Sequence, residues 1–316
     1  MQLWSTPPSI AILGAGAMGC LFGARLAEQG ARVTLIDVDA ARIAILARDG
    51  ITLTDDSGTR TIPVSATLAA DLAGPVDMLM LFTKGMHSAV AIQSVARLAD
   101  AAPIAVSLQN GLGNAELLAE TFGAERVLLG TAHVPADLDG PAGVATHGFG
   151  TVELGGMAAA ADEAAAAVAA LLQQAGFTAK VAPEVNAAVW EKVAFNAALN
   201  AVAMICDVAN AGIDNEPGRR IAGSVVAETV AVAAAGGIRI DRNRIVATID
   251  AALKDHAHHR ASMLQDRAMG RSTEIETING AIAREGARLG VPTPVCDTLS
   301  DLVRIIELAA RDNGTR

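Results

Sequence analysis

A glycine loop near the start of the chain constrains its fold more than any other feature. Ile10 to Leu13 is a short apolar run, Gly14-Ala15-Gly16-Ala17-Met18-Gly19 follows, and Cys20 to Glu28 is apolar with a helical period. This is GxGxxG between a predicted strand and a predicted helix, the context that gives the motif meaning. Gly14 permits the tight turn, Gly16 lets backbone approach a pyrophosphate, and Gly19 lets the helix pack close to the strand. The helix N-terminus offers unpaired N–H groups to the phosphates, so Ala15, Ala17 and Met18 join the glycines as candidate dinucleotide contacts.

A second predicted strand, Arg32 to Asp37, ends in a carboxylate 18 residues after Gly19. An acid there accepts hydrogen bonds from the adenosine ribose and repels a 2′-phosphate, which favours NAD(H) over NADP(H). Asp37 has a plainer alternative, capping the helix that follows, and Arg42 would soften the repulsion. Ile51 to Leu53 and Thr61 to Val64 read as a hairpin around Asp55-Asp56-Ser57-Gly58. Val76 to Phe82 reads as a buried strand followed by Thr83-Lys84-Gly85, and Ile104 to Leu108 as another followed by Gln109-Asn110-Gly111-Leu112-Gly113. Both polar clusters sit at carboxyl ends of strands, the ligand edge of an open parallel sheet. Lys84 and Asn110 are therefore candidates for the ribose, the nicotinamide or the substrate, against the ordinary alternatives of a solvated lysine and an Asn-Gly turn. Val127 to Thr131 and Gly150 to Leu154 supply further strands. Asp162 to Ala175 reads as a sheet-covering helix stopped by Gly176.

After Pro183 the β-branched runs end and only helices are predicted, near Glu184 to Ala209, Arg219 to Ala235, Arg242 to Leu264, Glu274 to Leu289 and Pro294 to Ala310. The expected architecture is α/β: an N-terminal Rossmann dinucleotide-binding domain over 1–183, then an all-α C-terminal domain over 184–316. In the second half, Trp190-Glu-Lys-Val-Ala-Phe-Asn-Ala-Ala-Leu-Asn200 reads as a helix. Its Lys192, Asn196 and Asn200 recur every four residues and drift only ~40° per step, forming one stripe roughly 12 Å long. One ammonium followed by two neutral amides in apolar surroundings suits a pocket wall; the alternative is an amphipathic helix with its polar edge in water. Asn210 extends the same polar surface. Ser262 and Glu274 flank Gly270, and a turn there would bring them together. His256, His258 and His259 find no cysteine or second histidine cluster to complete a tetrahedral set, so no metal is expected.

The chain has 316 residues, enough for about two domains. Its formal net charge of −10 argues against nucleic acid or a membrane surface as partner. Cys20, Cys206 and Cys296 are far apart, which suits thiols in a reducing compartment. The first residues lack a basic region followed by an apolar one, so no secretory signal is expected. The Ala-rich runs are interrupted before membrane-spanning length, and the plain reading is cytoplasmic. Tyrosine is absent. Dehydrogenases that use a Tyr-xxx-Lys pair as catalytic acid are thereby excluded.

Together these residues resemble the ketopantoate reductases (2-dehydropantoate 2-reductases) over essentially the whole chain. The markers are GAGAMG at 14–19, TKG at 83–85, QNGLG at 109–113, WEKVAFNAALN at 190–200, SMLQD at 262–266 and RSTEIETING at 271–280. The first is common to many dinucleotide folds; the last three together are specific. The resemblance implies a Rossmann domain joined to a helical domain, with the site in the cleft between them. It implies Lys192 as general acid, with Asn196, Asn200, Asn210 and Ser262 holding the substrate's hydroxyl and carboxylate. Glu274 would contact Lys192 or the cofactor, and Lys84 and Asn110 would lie beside the nicotinamide end. The implied activity is reduction of a 2-oxo acid, ketopantoate favoured, to the (R)-2-hydroxy acid. A homodimer is a family expectation.

One departure stands out. Ketopantoate reductases commonly carry Arg at the end of the second strand and use NADPH, whereas this chain has Asp37. The same superfamily includes NAD-dependent D-2-hydroxyacid dehydrogenases acting on branched or aromatic 2-oxo acids, such as D-mandelate dehydrogenases, and that is the alternative function. The expected cofactor is NAD(H) from Asp37, or NADP(H) if the usual family preference holds. A catalytically silent dinucleotide-binding sensor is a further alternative, which the Lys192 and Glu274 pair argues against.

Overall fold

The computed structural model describes residues 3–148 and 150–314. The chain forms two compact units. The first holds the residues up to Gln109 and Asn114–Val185; the second holds Asn110–Gly113 and the residues from Asn186 onward.

The first unit begins with β1 (Ser9–Leu13), α1 (Ala17–Glu28), β2 (Arg32–Ile36), α2 (Ala40–Asp49), β3 (Ile51–Asp55), β4 (Gly58–Ile62) and β5 (Ser65–Thr67). It continues with β6 (Met78–Leu81), α3 (Ser88–Ser94), β7 (Ile104–Ser107), α4 (Asn114–Phe122) and β8 (Val127–His133). It ends with β9 (Asp137–Asp139), β10 (Gly143–Ala145), β11 (Thr151–Gly156), α5 (Asp162–Gln174) and β12 (Thr178–Val181). Eight strands make the main sheet in the order β12-β11-β8-β7-β6-β1-β2-β5. Every neighbouring pair is parallel except β8 with β11. The buried runs Ile10–Leu13, Met78–Leu81 and Ile104–Ser107 are continuous rather than alternating, because a parallel sheet is covered on both faces. The strand order reverses between β1 and β6, the switch point at which such sheets open a ligand crevice.

The predicted hairpin forms, as β3 and β4 joined at Asp56-Ser57. It also belongs to something the sequence reading did not contain, a second sheet in the order β4-β3-β10-β9. Strands of three residues, Asp-Leu-Asp and Gly-Val-Ala, are too short to display alternation. Ion pairs fasten this sheet to α1: Arg25 meets Asp55 at 3.2 Å, and Arg60 bridges Asp55 and Glu28.

The second unit is helical: α6 (Val185–Cys206), α7 (Glu216–Ala235), α8 (Arg242–Asp255), α9 (Ser262–Ala268), α10 (Asn279–Leu289) and α11 (Pro294–Gly314). One continuous helix was expected from Arg242 to Leu264, but the chain breaks between α8 and α9. The side-chain amide of Asn210 takes the carbonyls of Ala252 and His256, and backbone N–H groups of Asn210 and Ala211 take those of His259 and Ala257. The Ala252 carbonyl still accepts from the His256 amide, but those of His256, Ala257 and His259 would otherwise carry the helix onward. The expected start of α10 at Glu274 also moves, to Asn279. Residues 274–278 are tight turns in which Thr277 and Ile278 both donate to the Glu274 carbonyl.

Contrary to the sequence expectation, α6 is long and apolar enough to cross a membrane, since Glu191 and Lys192 are its only charges. In the structure most of it is buried within the protein, and it supplies Trp190, Val193, Leu199 and Met204 to the second core. Trp190 lies in that core, while Trp4 packs against the core of the first unit.

Candidate active site

The glycine loop follows β1 directly. Gly14 has φ +98°, and a Cβ there would press on the Thr83 amide and the Phe82 carbonyl at the end of β6. A Cβ at Gly19 would overlap the Gly14 carbonyl oxygen and crowd Ile12, so α1 can sit this close only with glycine. Gly16 differs from both: nothing lies within 4 Å of where its Cβ would be. It is the N-cap of α1, with no side-chain cap bond. The first turn therefore presents backbone amides at an open position, which fits the pyrophosphate of a dinucleotide.

Asp37 follows β2, next to β1 in the sheet. One carboxylate oxygen accepts from the Ala15 amide at 2.7 Å, the other from Val38 and Asp39 amides at 2.8 and 3.2 Å. Asp37 thus braces the glycine loop. The capping alternative falls to its neighbour, because Asp39 caps α2 through the Ala41 and Arg42 amides. Asp37 Oδ2, which accepts only from Ala15, keeps lone-pair capacity for a ribose hydroxyl. Arg42 reaches back from α2 to the Cys20 sulfur at 3.7 Å, and its Nε is buried without a hydrogen-bond partner.

Lys84 and Asn110 follow β6 and β7, adjacent parallel strands. Both are half-buried. The residue that organises these loops, Gln109, was not singled out by the sequence reading. Its amide nitrogen donates to the Thr83 carbonyl at 2.5 Å and to Ser88 Oγ at 3.0 Å. Its Oε1 accepts from Ser107 Oγ at 3.1 Å, and Ser88 Oγ donates to Asn114 Oδ1 at 2.9 Å. Ser88, Ser107 and Asn114 are buried. The only available signal was a glutamine beside the Asn-Gly of a strand-end loop.

Asn110 opens the short segment that packs with the helical unit. Its amide donates to Glu274 Oε2 at 3.4 Å, and Leu112 N donates to the Thr277 carbonyl at 2.8 Å. A Cβ on Gly111 would collide with Thr277, and its φ is +93°.

Lys192, Asn196 and Asn200 occupy successive turns of α6. Asn196 and Asn200 are 9% and 6% exposed, so the stripe is not a solvated edge. Lys192 is half-buried. Burial pulls its pKa from the ordinary 10.5 down to about 8, and the nearby Glu274 carboxylate opposes that fall. This answers which influence dominates: desolvation does, and the ammonium becomes a stronger acid than an ordinary lysine. Asn200 Nδ2 donates to Ser262 Oγ at 3.4 Å. The helical unit thus brings Lys192, Glu274 and Asn110 together, and Asn200 with Ser262. Asn210 is buried, with both amide protons engaged on the end of α8, so a substrate contact there rests on its Oδ1.

Residues 10–159 match the family described as ketopantoate reductase PanE/ApbA, and residues 184–307 match the ketopantoate reductase PanE/ApbA C terminal. The 2-dehydropantoate 2-reductase of Halobacterium salinarum is 33% identical over 305 residues, covering 96% of this chain and 99% of that protein. That of Lactococcus lactis is 30% identical, covering 93% and 96%. Among solved structures, D-mandelate dehydrogenase with NADH and anilino(oxo)acetate superposes with a TM-score of 0.90 at 30% identity, over 96% of this chain and 99% of that one. A PanE/ApbA family ketopantoate reductase from Ralstonia eutropha superposes with 0.88 at 28% identity, over 96% and 99%.

Proposed function

Because the chain belongs to the ketopantoate reductase family, we propose that it reduces a 2-oxo acid, ketopantoate first, to the (R)-2-hydroxy acid. The observation that carries this reading is Lys192, held with a pKa of about 8 beside Glu274 on the helix that bears Asn196 and Asn200. The dinucleotide, when bound, supplies a hydride to the keto carbon. Negative charge grows on the keto oxygen as this happens. The Lys192 ammonium stabilises that charge and then donates its proton to give the hydroxyl. Asn196, Asn200 and Ser262 anchor the carboxylate and hydroxyl, and Asn210 Oδ1, able only to accept, serves the hydroxyl. Glu274 keeps Lys192 protonated near neutral pH.

The Gly14–Gly19 backbone and Asp37 would hold the cofactor, and Lys84 and Asn110 are the candidates to serve its nicotinamide end. Asp37 makes NADH the preferred donor over NADPH. A second reading, an NAD-dependent D-2-hydroxyacid dehydrogenase, is favoured by Asp37 and by the likeness to NADH-bound D-mandelate dehydrogenase. We place the enzyme in the cytoplasm, where its three free cysteines remain thiols. A homodimer is carried from the family alone.

Steady-state rates with ketopantoate, 2-oxoisovalerate and phenylglyoxylate, each with NADH and NADPH, test both readings. Fastest turnover of ketopantoate with NADH is the expected result. Negligible ketopantoate turnover beside fast phenylglyoxylate turnover would transfer the assignment to the second reading. A strong preference for NADPH would defeat the role given to Asp37.

A further inference from the structure

We infer that Gln109 is a positioning residue that holds the Thr83-Lys84-Gly85 loop in the register needed at the nicotinamide end of the cofactor. The inference rests on the proposed dinucleotide reading. Gln109 is the last residue of the first unit before the Asn110–Gly113 segment. Its hydrogen bonds run in one direction: Ser107 donates to Gln109, Gln109 donates to Ser88, and Ser88 donates to Asn114. The remaining amide proton goes to the Thr83 carbonyl, which can only accept. The orientation of the amide is thereby determined, because a flipped amide would set its oxygen against the Thr83 carbonyl.

Three loops meet through this residue. Thr83 is also the backbone against which Gly14 packs without a Cβ. Ser88 begins α3 and Asn114 begins α4, so both helices following these loops are tied to the same network. Removing Gln109 would take away the bond that ties the Thr83 carbonyl, one residue before Lys84, to the end of β7. Small displacements of positioning groups are costly to hydride transfer, which requires near-contact geometry. All side chains bonded to Gln109 are neutral.

Gln109→Glu preserves shape and replaces the donor with a carboxylate aimed at the Thr83 carbonyl. Gln109→Met removes the hydrogen bonds without adding charge, and it serves if the first variant folds poorly. Binding of ADP and of NAD⁺ is measured by tryptophan fluorescence at pH 8 and pH 5.5. ADP lacks the nicotinamide half and should bind both variants within about twofold of the parent, because the glycine loop is intact. NAD⁺ affinity should fall about tenfold in both at pH 8. It should recover at pH 5.5 only in Gln109→Glu, whose protonated carboxyl can again donate to Thr83. Unchanged NAD⁺ affinity in both variants would overturn the inference. So would parallel loss of ADP and NAD⁺ affinity, which marks a general scaffold role. Turnover of 2-oxo acids is read separately. A parent enzyme that binds NAD⁺ yet reduces none of them would defeat the proposed function and leave the Gln109 result standing.

Discussion

The glycine loop of the first unit and the polar stripe of the second are built on opposite principles. In the loop, the atoms proposed to bind are backbone amides, and side chains matter chiefly by being absent or by bracing the backbone. Gly14 and Gly19 have no room for a Cβ, and the Asp37 carboxylate holds the Ala15 amide. On α6 the atoms proposed to act are side chains displayed by a buried helix. A loop of the first kind binds any ligand of the right charge and shape. A stripe of the second kind decides what reaction follows. Substitutions in the two regions should therefore fail differently.

The largest effect belongs to the stripe. Lys192→Ala should lower kcat for reduction by about 10²- to 10⁴-fold, the usual value of a general acid. Fluorescence titration should find NADH affinity within about twofold of the parent, since no backbone of the glycine loop changes. Equal losses in both measurements would erase the distinction between the regions.

The loop should show the reverse. Gly14→Ala, strained at φ +98° and pressed on Thr83, should cost thermal stability as well as at least ~10-fold in NADH affinity. Gly16→Ala sharpens the point. Its Cβ meets no protein atom within 4 Å, so the melting temperature should hold while NADH affinity still falls. Retained affinity in Gly16→Ala would mean that the open space is not where the pyrophosphate lies.

The smallest effect is a shift in a pH profile. Lys192 must be protonated to act as an acid, so kcat/KM for reduction should decline as pH rises through about 8. The reverse, oxidative direction needs the neutral amine and should rise over the same range. Glu274→Gln removes the charge that opposes desolvation, and the descending limb should move to lower pH. A limb that stays in place would show that Glu274 does not act on Lys192.

Much of this was legible in the sequence, for a reason that differs between the two regions. The glycine loop is contiguous, so strand, turn and helix N-terminus can be read from one stretch. The stripe is legible because four-residue spacing on a helix is a geometric statement. Contacts between distant segments were less accessible. Nothing in the spacing foretold that Asn210, rather than facing only a ligand, would capture the Ala252 and His256 carbonyls and end α8. Gln109 was passed over because its meaning lies in Thr83 and Ser88, both remote in sequence. The second sheet was missed because its short strands exist only by pairing with β3.

The absence of tyrosine has a consequence for anyone observing this protein in solution. All of its near-ultraviolet emission beyond the weak phenylalanine signal must come from Trp4 and Trp190. One sits with the core of the sheet-bearing unit, the other is 8% exposed within the helical core, two residues from Lys192. The chain is thus wired with one optical probe per unit. Trp4→Phe would leave Trp190 as the single emitter, reporting on the packing of the helical core with no label attached.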